Sequence, residues 1–376
     1  MSAALGLLAL LVWLGLVATG FWTCGEHDAR APCAAPDVWP QVVAVVPARD
    51  EAEVIARALS SLAAQDYPGG FRIVVVDDAS SDGTGDVARG LGDDRITVLT
   101  GSALPAGWTG KLWALHQGIA AAGQPGFLWL TDADIAHAPD TLRRLVGIAH
   151  GGRRKLVSFM AQLHCQTWAE RALVPAFVWF FMMLYPFGWV NRTGPVARFI
   201  AGAAGGCVLV EAKALAQAGG IAAMRGALID DCTLGRMMKQ QGPIWLGLTR
   251  RSLCLRPYRR AGEVGAMIAR SAYAQLRYHP VLLLATLVGL GVMFAAPVGL
   301  VVTGHGAGQA AGMGALLIMI LAYQPILRFY RRSPFWALGL PLVGGFYAAC
   351  TLASALAYYA GRGGMWKGRA QAGAGA

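Results

Sequence analysis

The stretch Gln41-Val42-Val43-Ala44-Val45-Val46-Pro47-Ala48-Arg49-Asp50-Glu51 decides the fold. Its apolar run, residues 41–46, is compact and ends at Pro47, and residues 54–62 then repeat apolar side chains at helical spacing. Strand, loop and helix in that order form the start of a parallel βαβ unit. The pattern recurs downstream. Residues 71–76 read as a second buried strand stopped by Asp77-Asp78, with a helix at 86–91. A short third strand at 96–99, a helix at 112–122 and a fourth strand at 126–130 follow, the last running into Thr131-Asp132-Ala133-Asp134.

In open α/β sheets, ligands bind beyond the carboxyl ends of the strands. Arg49-Asp50-Glu51, Asp77-Asp78 and Asp132-Ala133-Asp134 all fall at that edge. Three acidic clusters side by side repel one another unless a cation or a donor-rich ligand sits among them. A divalent metal holding a diphosphate meets that requirement. At a strand end, Asp132 and Asp134 approach one hard cation, Mg2+ or Mn2+, which takes one or two carboxylates plus phosphate oxygens. The same pair also reads as a solvated loop, or as a cap for the helix after Pro139. Asp50 and Glu53 fit a capping box better than a ligand role, and Asp77 or Asp78 is open to a capping reading too. In Gly107-Trp108-Thr109-Gly110-Lys111, either Lys111 meets a phosphate at a helix N-terminus or it is a surface lysine on a flexible loop.

Hydrophobic residues make up 56% of the 376-residue chain and charged residues only 14%, too apolar a balance for a purely soluble protein. Residues 2–22 are uncharged and long enough to cross a hydrocarbon core of roughly 30 Å. A signal peptide fits them less well, because a basic start and a small-residue cleavage site are both missing. Apolar runs at 281–302, 312–327 and 334–360 predict about three further spans. The expected division is an anchor at 1–24, a catalytic domain at 38–278, a membrane domain at 279–362 and a basic Gly/Ala tail at 363–376. Arg250, Arg251, Arg256, Arg259, Arg260, Arg270 and Arg277 precede the second span, and Arg328, Arg331 and Arg332 follow the third, so both flanks are expected in the cytoplasm. A single crossing by 334–360 would carry Arg362, Lys367 and Arg369 outside, against that rule. A re-entrant hairpin at Pro341 and Gly344-Gly345 would avoid this. The net charge of +11 suits a surface resting on anionic lipid. No basic run is interleaved with aromatics, so nucleic acid is not expected as a partner. Seven cysteines without metal-site spacing read as reduced thiols.

Taken together, Val45-Val46-Pro47-Ala48-Arg49-Asp50-Glu51, Val76-Asp77-Asp78 through Thr84, Gly110-Lys111, Asp132-Ala133-Asp134 and Asp230-Asp231-Cys232-Thr233-Leu234-Gly235-Arg236 resemble glycosyltransferase family two, the inverting GT-A enzymes. Gly107 to Ala114, Arg256-Pro257-Tyr258, Arg270 to Tyr278 and Trp366-Lys367-Gly368-Arg369 most resemble the hopene-associated glycosyltransferases of bacterial hopanoid gene clusters. The resemblance implies an α/β GT-A catalytic domain, Rossmann-like with a mostly parallel sheet, flanked by N- and C-terminal transmembrane helices. It implies that Pro47, Arg49, Glu51 and one of Asp77 or Asp78 line the nucleotide pocket, with Lys111 near the donor. Asp132 and Asp134 would hold Mg2+ or Mn2+, and Asp231 would be the catalytic base. Asp230, Arg270 and Gln275 fall on the acceptor side. The acidic pair is Asp230-Asp231 where the family usually has Glu-Asp, and the Gln-x-x-Arg-Trp motif of processive synthases is missing, which argues against a polymer product.

The expected protein is a multi-pass enzyme of the bacterial inner membrane with its catalytic domain in the cytoplasm. It would move a sugar from a nucleotide-sugar donor to a lipid acceptor in hopanoid-related metabolism. A polyisoprenoid phosphate, glycerolipid or sphingoid acceptor is the alternative, and a catalytically idle nucleotide-sugar-binding scaffold or a secreted soluble domain belongs to other classes. Locally, Asp230 and Asp231 also read as an N-cap of the helix at 232–240. The apolar stretch 174–190 reads either as an interfacial segment that receives the acceptor or as a buried helix pair broken at Pro186.

Overall fold

The computed structural model describes residues 2–195 and 197–364, so the expected tail lies outside the described residues from 365 on, with Trp366, Lys367 and Arg369. The chain divides into two compact units: residues 26–164 with 187–256, and residues 1–25 with 165–186 and 257 onward. The sheet unit thus starts earlier than residue 38, because Asp28 is buried and paired with Arg251. Residues 165–186 and 257–278 group with the apolar helices. There, Tyr273 donates its backbone N–H to Ser354 (3.1 Å), and Gly265 packs on Phe346.

The sheet unit is built on β1 (Val42–Ala48), β2 (Phe71–Asp77), β3 (Ile96–Thr100) and β4 (Phe127–Thr131), followed by β5 (Ile135–His137), β6 (Leu156–Gln162), β7 (Cys207–Glu211) and β8 (Ile244–Cys254). Their order is β3-β2-β1-β4-β7-β6-β8-β5. All residues of β1 are buried, as an unbroken apolar run requires of a central strand covered on both faces. Each buried Val there contributes about 1.5–3 kcal/mol. Pro47, with no N–H to donate, lies past the last β1–β4 pair, Val45–Leu130. The expected parallel sheet holds from β3 to β4. Beyond it the sheet is mixed: β7 runs antiparallel to both β4 and β6, and β5 antiparallel to β8. Because Ala48 pairs with Asp77 and Val45 with Leu130, the strand ends bearing Arg49, Asp78 and Asp132 share one edge.

Among the described residues, four helical stretches are long and apolar enough to cross a membrane: Trp168–Val190, Pro280–Thr303, Gly306–Phe329 and Pro334–Tyr359. The N-terminal helix, Ser2–Ala18, is shorter than the expected anchor. At 1.5 Å per residue it reaches about 25 Å, against a core of roughly 30 Å. It stops because Gly20 turns left-handed (φ 74°) and Phe21–Thr23 folds back, with the Trp22 indole N–H on Val17 O (3.0 Å). The helix Gly306–Phe329 starts six residues before the expected span, since Gly308 allows close approach to Ser2 and Gly6. No hairpin forms near Pro341. Leu340–Tyr359 is one helix with Pro341 in its first turn, where a missing N–H costs nothing, and Gly344 is there to pack against Phe294. Trp168–Leu184 buries Val174, Val178 and Trp179, and the Trp179 indole N–H reaches Ala322 O (3.1 Å). It is a packed helix that ends ahead of Pro186.

Candidate active site

One end of the cleft is set by two loops laced together. Asp50, left-handed at φ 50°, accepts from the Ser81 N–H (2.8 Å) and hydroxyl (3.2 Å) and donates its own N–H to Ser80 Oγ (3.1 Å). The Glu51 N–H reaches Thr84 Oγ1 (2.8 Å), and the Ala52 N–H reaches Asp82 (2.9 Å). These bonds replace the expected Asp50–Glu53 capping box. The helix Ile55–Ala63 has Val54 at its N-cap and no side-chain cap, and Glu53 is exposed. Asp77 caps no helix; its carboxylate takes the Ser80 N–H (3.1 Å). Arg49 lies over Asp78, donating to its carbonyl (2.5 Å) and standing 3.6 Å from its carboxylate. Asp78 is only 3% exposed, and the buried Arg49 Nε has no hydrogen-bond partner.

At the centre, Lys111 opens the helix Gly110–Ala121 and spans the cleft. Its Nζ is 2.8 Å from Asp132 and 3.2 Å from Asp230. Asp230 and Asp231 start the helix Asp230–Gln241, but its N-cap is Ile229, so neither residue caps it. Asp231 instead accepts from the Gly205 N–H (3.0 Å) through one oxygen and from the Cys232 N–H (2.7 Å) through the other. Gly205 leaves little room here, since a Cβ would stand 3.3 Å from Asp231 Cβ and 3.4 Å from Lys111 Nζ. The Gly205 segment is held from below by Ser158, which donates to Ala204 O (3.1 Å) and accepts from its N–H (2.8 Å).

The charges are coupled. Burial works against the Lys111 ammonium, but Asp132, Asp230 and Asp231 outweigh it and raise its pKa. Burial raises Asp132 against the pull of Lys111, with Asp134 and Asp230 adding to the rise. Asp231 is pushed up to about 6 by burial and by Asp230, against Lys111 and the two backbone N–H groups. A carboxylate titrating there is suited to accept a proton near neutral pH.

Asp134 faces Arg256, whose Nε stands 3.1 Å away and whose Nη2 grips Glu51. Arg256 follows β8, and the Ile135–Cys254 pair of β5 and β8 delivers it to Asp134. The sequence marks it as a basic residue ahead of a membrane span and as part of the Arg256-Pro257-Tyr258 resemblance, but does not show its pairing with Asp134 and Glu51. Asp134 does not cap the helix Thr141–Gly151, which begins after β5 with Asp140 at its N-cap. Among the described residues no three His, Cys, Asp or Glu side chains gather to hold a metal. Asp132 and Asp134 each face a basic group, a donor set that fits a cation drawing its other ligands from phosphate and water. Arg270 and Gln275 belong to the helical unit: Arg270 ends the helix Ala261–Ala269, and Gln275 bonds the Tyr185 hydroxyl (2.9 Å).

Residues 43–211 match the family model described as Glycosyl transferase family 2. That stretch holds β1 to β7 with Lys111, Asp132 and Asp134, and the activity this match supports is that of a glycosyltransferase. Its fold is similar to that of a mannosyltransferase from Pyrobaculum calidifontis solved with GDP-Man and Mn2+. The two are 20% identical at a TM-score of 0.55, over 95% of this chain and 98% of that one. Two matches are too distant to bear on the argument. TarS residues 1–349 from S. aureus, solved with UDP-GlcNAc, are 14% identical at a TM-score of 0.42, over 85% of this chain and 93% of that one. Mannosyl-3-phosphoglycerate synthase from Rubrobacter xylanophilus is 16% identical at a TM-score of 0.38, over 62% and 74%. A search of curated proteins finds no match. None of these findings ties the chain to hopanoids.

Proposed function

We propose that the protein transfers a sugar, with inversion, from a nucleoside diphosphate sugar to a hydroxyl-bearing membrane lipid at the cytoplasmic face of the bacterial inner membrane. The observation that carries the chemistry is Asp231, held by two backbone N–H groups beside Lys111 with its pKa near 6. In this reading Asp231 takes the proton of the acceptor hydroxyl as its oxygen bonds to the anomeric carbon and the sugar–diphosphate bond breaks on the opposite face. Asp230 lines the acceptor side. Pro47, Arg49, Glu51 and the Asp77-Asp78 pair line the nucleotide pocket, and Lys111 faces the diphosphate.

Asp132 and Asp134 would hold Mg2+ or Mn2+, as the solved mannosyltransferase holds Mn2+. When bound, the cation supplies Lewis-acid stabilisation of the departing diphosphate, so no second protein acid is required. Lys111 keeps Asp132 oriented and adds positive charge toward the same group. The lipid acceptor is argued from the four apolar helical stretches. A glycerolipid or polyisoprenoid phosphate suits that argument as well as a hopanoid-derived lipid. An idle binder would have no use for a carboxylate raised to about 6.

The test is turnover of a panel of nucleotide sugars by detergent-purified protein with added bacterial lipid extract. Glycolipid is expected from wild type, lost on chelation, restored by Mn2+ or Mg2+, and missing with Asp231→Asn and Asp134→Ala. Equal activity in Asp231→Asn would remove the base. Nucleotide binding without turnover across the panel would leave a binder.

A further inference from the structure

We propose that His137 is a positioning residue for the transfer: as its Nε2–H tautomer, it stands in a one-way chain of buried hydrogen bonds that fixes the Gly205–Gly206 backbone, and with it Asp231, against the strand end bearing Asp132. The inference rests on Asp231 being the base.

His137 closes β5 and is 6% exposed. Its Nε2 lies 2.9 Å from Thr131 Oγ1 and its Nδ1 2.9 Å from Ser252 Oγ. Thr131 Oγ1 is also 2.9 Å from the Gly206 carbonyl. A carbonyl only accepts and a hydroxyl has one proton, so Thr131 donates to Gly206 and must accept from His137. Nε2 therefore carries the hydrogen. Burial holds the imidazole neutral, its pKa pushed down to about 3, so Nδ1 is an acceptor and the Ser252 hydroxyl donates to it. The chain runs Ser252 to His137 to Thr131 to Gly206, and Ser252 and Thr131 are as buried as the imidazole.

Both ends of this chain matter. Thr131 immediately precedes Asp132, and Gly206 immediately follows Gly205, whose N–H holds Asp231. One hydroxyl thus ties the donor-side carboxylate to the base-side backbone across the β4–β7 ladder, where Thr131 pairs with Cys207. Apolar side chains of the same shape would fill this place at little cost in stability. What the polar chain adds is direction, because each proton has one place to go.

Three variants separate positioning from packing. His137→Gln keeps an N–H near the place of Nε2, His137→Phe keeps the ring without the donor, and Thr131→Val keeps the shape without the hydroxyl. With the donor that wild type turns over, His137→Phe and Thr131→Val should lose about 10- to 100-fold in kcat at nearly constant donor KM, while His137→Gln stays within about threefold. A role in packing alone would lower melting temperatures without that ordering. Wild-type kcat in His137→Phe or Thr131→Val, or a His137→Gln enzyme as slow as His137→Phe, overturns the proposal. Histidine 15N NMR of the wild-type protein, with the His137 signal assigned by its loss in His137→Gln, should read the Nε2–H tautomer. An Nδ1–H tautomer overturns the chain whatever the rates, and this spectrum with Thr131→Val decides the matter if His137→Phe does not fold. Full activity in Asp231→Asn would remove the base, and with it the reason for the kcat ordering, but would leave the Nε2–H tautomer as it is.

Discussion

A side chain that takes a proton at neutral pH has to be held above the ordinary carboxylate range, and for Asp231 that costs stability. Burial and Asp230 push it to about 6, so it is the deprotonated base only above that pH. The pH profile of kcat/KM should therefore rise through about pH 6 on its acid limb; a limb near pH 4 would place Asp231 outside the rate-determining proton transfer. The stability consequence has the opposite sign. The folded pKa lies above the unfolded value of about 3.9, so the folded state holds the proton more tightly. The stability this group contributes is present below pH 4 and lost as pH rises through 6. Asp231→Asn should accordingly melt higher than wild type at pH 8, converge with it below pH 4, and lose at least about 100-fold in kcat. Differential scanning fluorimetry beside the rate assay reads both. Asp132, Asp134 and Asp231 stand out as candidates in the sequence because acidic residues at strand and helix ends interrupt apolar runs, and Lys111 because it follows a Gly-rich stretch ahead of a helix, and the structure brings Lys111 to Asp132 and Asp230. Arg256 stands out in the Arg256-Pro257-Tyr258 resemblance and as a basic residue ahead of a span, but its carboxylate partners were not readable. Its pairing with Asp134 depends on β8 lying beside β5.

Elements were readable where one local pattern sufficed. Strands β1 to β4 are short apolar runs, and each was found within two residues of its observed ends. The antiparallel half was not read. Strand β8 carries Thr249 and Ser252, both fully buried polar residues, beside Arg250 and Arg251, so its run looks like a basic loop. Strand β7 follows a Gly- and Ala-rich segment, and its direction depends on a partner, β4, far back in the sequence. The site uses this later half to seat Asp231, the proposed base. The helix Asp230–Gln241 comes so close to the segment before β7 that a Cβ on Gly235 would lie 2.8 Å from the Gly202 carbonyl carbon and 3.0 Å from the Ala203 N. Both neighbours are backbone and have nowhere flexible to yield. Gly235→Ala should push the helix off that segment, costing about 1–3 kcal/mol of stability. Its kcat should fall because Asp231 leaves the Gly205 N–H. A variant with wild-type kcat would mean that the helix can shift without moving its first turn.

At the scale of the molecule, the packing of the helical unit bears on a question of orientation that its basic residues leave in conflict. Helix Ser2–Ala18 lies parallel to Gly306–Phe329: a Cβ on Gly6 would meet Gly308, and one on Gly314 would meet Leu10, so contacts advance together along both helices. The C-terminal end of Gly306–Phe329 leads into Arg328, Arg331 and Arg332, and in the proposed orientation it faces the cytoplasm. In that orientation Ala18 ends on the same side, since the two helices run parallel. Leu340–Tyr359 is a continuous helix of 20 residues, preceded by the turn Pro334–Gly339, and reaches about 30 Å on its own. It starts beside the cytoplasmic arginines, so its far end, with Arg362, should emerge outside despite the charge. In a background without native cysteines, His305→Cys and Arg362→Cys should react with a membrane-impermeant maleimide on intact spheroplasts, and Arg331→Cys only after permeabilisation. Protection of Arg362→Cys alongside Arg331→Cys would mean that Leu340–Tyr359 does not cross. Labelling of Arg331→Cys from outside would reverse the whole orientation and strand the sheet unit away from its donor.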